Sequence, residues 1–157
     1  ELGLMMAAGP VASKAFKVVK KANKAARNLA HPRRYSAKDK EMVTIDVSKM
    51  DELWKLDGDS YIGRGMGNKG RQEGIIKRID NEQELSAPIV DLLKIPSNWK
   101  TPSAGKIRLG FTDGRNRFAV LRDSGAEKIN VVMDKGSVKL LDEALEQAKT
   151  DIWKRAR

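Results

Sequence analysis

The chain has no cysteine, which excludes at once a disulfide framework, a thiolate metal site and a cysteine nucleophile. A single histidine, His31, excludes the usual zinc constellations, so any metal would have to be a hard cation held by carboxylates and phosphate oxygens. Aromatic residues make up only 5% of the 157, which leaves Ile, Leu and Val to build the core. No apolar run approaches the roughly 20 residues that span a bilayer, so stable membrane insertion is not expected. The opening Leu2-Gly3-Leu4-Met5-Met6-Ala7-Ala8-Gly9 is apolar but lacks the preceding basic stretch of a signal peptide, and the chain starts with Glu1 instead of Met. It reads as a piece of a longer polypeptide.

What is present is globular in composition, with 40% hydrophobic and 33% charged residues. The length suits one well-cored domain plus an appendage. A net charge of +10 and a pI near 9.9 point to an anionic partner: nucleic acid, a nucleotide, a lipid surface or an acidic protein. Residues 1–42 carry ten Lys/Arg against three acids, and residues 43–157 twenty-one against eighteen. Most of the excess therefore lies in the first quarter of the chain.

That quarter contains a basic amphipathic helix. Val11, Ala15, Val18, Val19, Ala22, Ala26 and Leu29 recur at helical spacing, with Lys14, Lys17, Lys20, Lys21, Lys24 and Arg27 between them. Pro10 suits its first turn, and His31-Pro32 is expected to end it. The helix could dock on the following domain, lie on a membrane surface, or belong to a delivery region. Residues 33–40 read as a linker. The expected division is a basic helical segment with linker over 1–42 and an α+β domain over 43–157.

Within the domain, Val43, Ile45 and Val47 alternate with polar residues as a half-buried strand. Met50 to Leu56 suggests a helical turn, and residues 57–74, rich in glycine, a loop. Ile75, Ile76 and Ile79 suggest a short helix, and Ala87 to Leu93 an extended segment. Ile107, Leu109 and Phe111 form a strand that runs into Asp113-Gly114, followed by a helix over 115–123 that Gly125 closes. Ile129 to Met133 is a further strand and Val138 to Trp153 a closing helix, with Leu140, Leu141, Leu145 and Ile152 inward. Trp54, Trp99 and Trp153 are expected as core or rim anchors.

Two segments carry chemistry. In the glycine-rich stretch a formal GxGxxG falls on Gly65, Gly67 and Gly70, but no strand precedes it and no parallel βαβ unit surrounds it, so it is not a dinucleotide fingerprint. It remains a basic loop in which Arg64, Lys69 and Arg71 are candidate phosphate contacts. In the second segment a strand enters a tight Asp113-Gly114 turn and a helix starts at once, aiming free backbone N–H groups at the turn. Arg115 and Arg117 add guanidinium donors suited to phosphate. Asp113, Asp123, Glu73 and Asp57 are candidate general acids or bases, of which only Asp113 is placed by this argument. His31 has no carboxylate nearby in sequence to orient it, so a catalytic role is not expected of it.

The run Phe111-Thr-Asp-Gly-Arg-Asn-Arg-Phe-Ala-Val-Leu-Arg-Asp-Ser-Gly-Ala-Glu-Lys-Ile-Asn-Val-Val-Met-Asp134 resembles the "DGRHR-F/L-A-x-L-x-x-x-G-x-x-x-I-P-V" segment of the ParB/sulfiredoxin superfamily. The resemblance implies a small mixed sheet with flanking helices. It also implies nucleotide or nucleic-acid chemistry at this turn, with Asp113, Arg115 and Arg117 catalytic and Gly114 and Asn116 binding phosphate. Asn116 stands where many relatives have histidine, so it can hydrogen-bond but cannot take a proton near neutral pH. The lead-in of Ala, Val and Lys is similar to the junction before C-terminal toxin domains of bacterial contact-dependent inhibition proteins. The expectation is therefore a secreted or surface-delivered effector that cleaves nucleic acid in the target-cell cytoplasm, with Mg²⁺ as candidate cofactor and an acidic immunity protein as partner. The alternatives are a nucleotide-binding ATPase or kinase of the same superfamily and a non-catalytic DNA-binding module.

Overall fold

The computed structural model describes residues 10–33 and 39–156, with side chains from residue 17 onward. The apolar opening, the middle of the linker and the side chains of Val11 and Ala15 lie outside these. Among the described residues the order is α1 (Pro10–Arg27), β1 (Lys40–Asp46), α2 (Val47–Trp54), α3 (Lys69–Asp80), β2 (Ile89–Lys94), β3 (Ile107–Asp113), α4 (Arg115–Asp123), β4 (Lys128–Asp134) and α5 (Lys135–Ala156). This is an α+β arrangement built on one mixed four-stranded sheet, ordered β1-β4-β2-β3. β1 and β4 pair antiparallel over seven residues, β2 and β3 pair antiparallel, and Ile89 and Val132 join β2 to β4 in parallel.

The branched alternation expected for the first strand holds through Ile45 and stops before Val47. There the chain leaves the ladder: the Val47 amide donates to the Glu127 carbonyl (2.8 Å) and Val47 becomes the first residue of α2. Val47 is buried all the same, so burial continues while the backbone changes. α3 begins inside the segment expected as loop. Asn68 caps it, its Oδ1 accepting from the Arg71 amide (3.0 Å), which offsets the unfavourable helix propensity of Gly70 and Gly74. α5 starts three residues earlier than its apolar period suggests, because Asp134 Oδ1 accepts from the Ser137 amide (2.7 Å). Its fully buried residues are Ala144 and Ala148, with Leu140, Leu141 and Leu145 partly covered beside them.

α1 docks on the rest of the molecule, against β4, α3 and α4. Ala22 and Ala26 are fully buried and let the helix approach closely, while Lys21 and Lys24 face outward. Polar ties fix it: Asn130 Nδ2 donates to the Arg27 carbonyl (2.7 Å) and the Glu127 amide donates to Asn23 Oδ1 (2.8 Å). The helix ends at Arg27, before the expected His31-Pro32. Ala30 then bridges to Ser86, with the Ala30 amide on the Leu85 carbonyl (2.9 Å) and the Ala87 amide on the Ala30 carbonyl (2.7 Å).

Trp54 is the largest fully buried side chain and meets Tyr61, Phe111 and Phe118 edge-on, with centroids 5.0, 4.6 and 5.6 Å away. Trp99 and Trp153 are exposed. Against Trp54, Tyr61 and Phe118 lies Arg122, wholly covered, donating to Asp51 Oδ1 (2.9 Å), Asp123 Oδ1 (2.9 Å) and the Ile62 carbonyl (2.6 Å). Burial pulls the guanidinium pKa down, but Asp123 and Asp51 more than reverse this and hold it above its ordinary value.

Candidate functional site

β3 delivers Asp113 to the end of the sheet where β2 begins, opposite Ile89 at a register shift between Ile89 and Val90. Gly114 then turns the chain with φ 92°. A Cβ at this position would sit 2.8 Å from Pro88 Cα and 2.8 Å from Arg117 Nη2, so both conformation and space demand glycine. α4 starts at the next residue. Its N-cap is Gly114, which has no side chain to satisfy the first-turn amides. Those amides and the helix dipole favour an anion in front of them.

Asp113 therefore does not cap α4. Its carboxylate lies 3.6 Å from Arg117 Nη2, a through-space ion pair longer than a hydrogen bond. In front of the turn opens a cleft of about 580 Å³, walled on one side by residues 111–117 and on the other by Arg71, Gly74, Ile75 and Arg78 of α3. The α3 residues follow i, i+3, i+4, i+7 spacing and so form one helix face. Gly74 borders open space on that face, since a Cβ there would meet nothing within 4 Å. Arg115 is exposed at the rim, Asn116 is buried, and Arg117 is largely covered.

A second cavity of about 300 Å³ shares Arg78, Asp113 and Arg117 with the first and continues to His31 and Arg33. Buried polar atoms without a hydrogen-bond partner concentrate here. Among the described residues they are Arg117 Nε and Nη2, Asn116 Oδ1, His31 Nε2 and Arg122 Nη2. All but the last belong to side chains that line the two joined cavities. A buried unsatisfied donor or acceptor costs about 1–3 kcal/mol. Asn116 Oδ1 lies on the Gly67 side, 3.3 Å from where a Cβ of that glycine would sit, which leaves Arg117 and His31 as the side chains whose unmet polar atoms bear on the cavities. Arg117 is the strongest case, because Nε and Nη2 form one edge of the guanidinium and can take two oxygens of one phosphate side by side.

The structure gathers Asp113, Gly114, Arg115, Asn116, Arg117 and Arg71 around one cleft. It does not bring Arg64 or Lys69 there. Arg64 lines a separate concavity with Asp46 and Lys128, and the Lys69 ammonium donates to the Gly65 carbonyl of its own loop. Asp123 accepts from Arg122 and from the Gly65 amide (2.9 Å), Asp57 accepts from Ser60 Oγ (2.5 Å), and Glu73 is exposed on α3. Two further residues line the cavities: Arg78, which the sequence did not single out, and His31, of which no catalytic role was expected. Arg78 sits seven residues after Arg71, a spacing visible in the sequence once α3 is known to begin at Lys69. His31 is brought in by the Ala30–Ser86 bridge, for which no local pattern exists.

The donor set does not fit a resident Mg²⁺. Asp113 is the one carboxylate among the residues lining the larger cavity, and it already faces Arg117, with Arg71, Arg78 and Arg115 around it. Among the described residues no group of three or more His, Asp or Glu side chains is placed to hold a metal ion, and no helix is long and apolar enough to cross a membrane. No protein-family model, curated protein or solved structure matches the chain.

Proposed function

We propose that this cleft binds the phosphate backbone of a nucleic acid and cleaves it, and that the chain is a ParB/sulfiredoxin-like domain acting as the C-terminal effector of a delivered bacterial toxin. The observation that carries this reading is the Nε/Nη2 edge of Arg117, which makes no hydrogen bond and has the Asp113 carboxylate 3.6 Å from Nη2, beside the uncapped first turn of α4, in a cleft whose other charged walls are Arg71, Arg78, Arg115 and Asp113. Four guanidiniums against one carboxylate select a ligand with several negative charges. They also stabilise the charge that builds on phosphoryl oxygens in a displacement at phosphorus. The same basic cleft is the surface that an acidic immunity protein would cover.

Asn116 favours a second reading, a module that binds without cleaving. It is buried at the position from which a histidine could have exchanged a proton, and its amide cannot do so. Incubation of the protein with total RNA and with plasmid DNA, beside Arg117→Ala, separates the two. Cleavage of either polymer by wild type, reduced about 10²–10³-fold in the variant, is the expected result. Salt-sensitive binding with both polymers intact would establish the binding module, and no binding of either would remove the whole proposal.

A further inference from the structure

Asn116 leaves the cleft without a base on α4, but the chain supplies an imidazole from elsewhere. His31 follows α1 and is held at the second cavity by backbone hydrogen bonds on both sides of Ala30, to Leu85 and Ala87. The Ala87 bond also leads directly to the turn, since Pro88 is the residue against which Gly114 packs. His31 Nδ1 lies 3.1 Å from the Pro32 carbonyl oxygen. A carbonyl only accepts, so in the neutral ring this contact favours the tautomer with the proton on Nδ1 and the lone pair on Nε2. That Nε2 is buried and makes no hydrogen bond among the described residues.

The two cavities meet at Arg78, Asp113 and Arg117. A strand whose phosphate sits on Arg117 at this junction would therefore place its neighbouring sugar in one lobe or the other. The carboxylates lining the two cavities are Asp113, which faces Arg117, and Glu84, which lies 3.5 Å from Arg33. This donor set disfavours a resident divalent ion, which a water nucleophile attacking an unactivated phosphodiester ordinarily needs. An internal nucleophile on the substrate removes that need. Ribose provides one next to every phosphate, in its 2′-hydroxyl.

We propose that the cleft takes RNA across both cavities and that His31 is its general base, so that cleavage is a transesterification by the 2′-hydroxyl. This rests on the nucleic-acid reading of the cleft and deepens it. As the strand enters the second cavity, His31 Nε2 takes the 2′-hydroxyl proton while the 2′ oxygen forms its bond to phosphorus. The bond from phosphorus to the 5′ oxygen breaks, and that oxygen leaves with the electron pair and takes a proton from water. The imidazolium returns its proton to solvent. One strand becomes a 2′,3′-cyclic phosphate end and a 5′-hydroxyl end, with no oxidant, metal or net water consumed. Arg117 and the first-turn amides of α4 neutralise the added charge on the phosphoryl oxygens.

The test uses the full chain, a labelled RNA strand in chelator, and the same strand with every 2′-hydroxyl replaced by hydrogen, with binding and cleavage read separately. Wild type is expected to bind both strands within about threefold and to cut only RNA, leaving cyclic phosphate ends. His31→Gln is expected to bind RNA like wild type and to cut it about 10²–10⁴-fold more slowly, the usual worth of a positioned base. His31→Ala is expected to recover part of its rate with added imidazole, a response that misfolding would not give. Cleavage of the deoxy strand, ends without a cyclic phosphate, or full activity in His31→Gln would overturn the inference and leave the nucleic-acid reading standing. Tight RNA binding with no cleavage by wild type would overturn it too. Failure of wild type to bind either strand would remove both.

Discussion

At the scale of single residues, Gly114 decides whether the cleft exists. Its positive φ costs an L-residue about 1–2 kcal/mol, and the atoms that a Cβ would strike are the Pro88 backbone and the Arg117 guanidinium. Backbone does not yield cheaply, so the strain falls on both the turn and the guanidinium. Gly114→Ala is therefore expected to lower unfolding free energy in urea by at least that amount and to weaken nucleic-acid binding beyond what Arg115→Ala does. Unchanged stability and binding would show that the turn has more freedom than its contacts suggest. Arg122 illustrates the contrary case, an arginine close by in sequence whose donors are committed to Asp51, Asp123 and Ile62 and so belong to the core. Charge alone does not separate Arg117 from Arg122; the partners do.

At the scale of elements, the site depends on two helices that the turn motif does not contain. α3 contributes Arg71 and Arg78, and the segment that follows α1, a strap bridged at Ala30 to Ser86, places His31 at the second cavity. Docking of α1 rests on the small, fully buried Ala22 and Ala26, whereas the Lys24–Glu82 pair (2.6 Å) is exposed and screened. Ala26→Glu would bury an unpaired carboxylate against β4 and is expected to cost more than about 3 kcal/mol and to abolish cleavage, since the strap moves with the helix. Lys24→Ala should leave both the unfolding midpoint and activity unchanged. Equal tolerance of the two substitutions would mean that α1 is not part of the functional unit.

The same elements show what the sequence makes legible. The strand, turn and helix over 107–123 follow from local signals, namely alternation into Asp113-Gly114 and a helical period closed by Gly125, and the structure places them within a residue or two. The second half of α3 follows from Ile75, Ile76 and Ile79, but its first half is hidden, because Gly70 and Gly74 read as loop and its cap, Asn68, makes its bond only to the third residue on. The exchange of strand for helix at Val47 depends on the Glu127 carbonyl, eighty residues away in sequence. His31 could not be placed because its neighbours Ser86, Asp113 and Arg117 are all distant in sequence, so the lack of a nearby carboxylate told nothing about the folded site.

For the whole molecule, a net charge of +10 attracts any polyanion, and affinity alone is weak support for a particular cleft. The excess on α1 is exposed at Lys17, Lys20, Lys21 and Lys24, none of which lines the cleft. General attraction and specific phosphate contact differ in how they respond to salt and to the loss of one arginine. Each phosphate neutralised on a single strand contributes about −0.7 to the slope of log K against log salt. The most direct measurement is the binding of a short labelled RNA to wild type and to Arg117→Ala across a series of salt concentrations. Three or four phosphate contacts predict a wild-type slope of about −2 to −3. The variant is predicted to bind at least about tenfold more weakly, as expected for a lost charge-assisted pair, with a slope shallower by about 0.7. Identical affinity and slope in the two proteins would place the nucleic acid on the lysine-rich surface and contradict the assignment of the Asp113–Arg117 cleft.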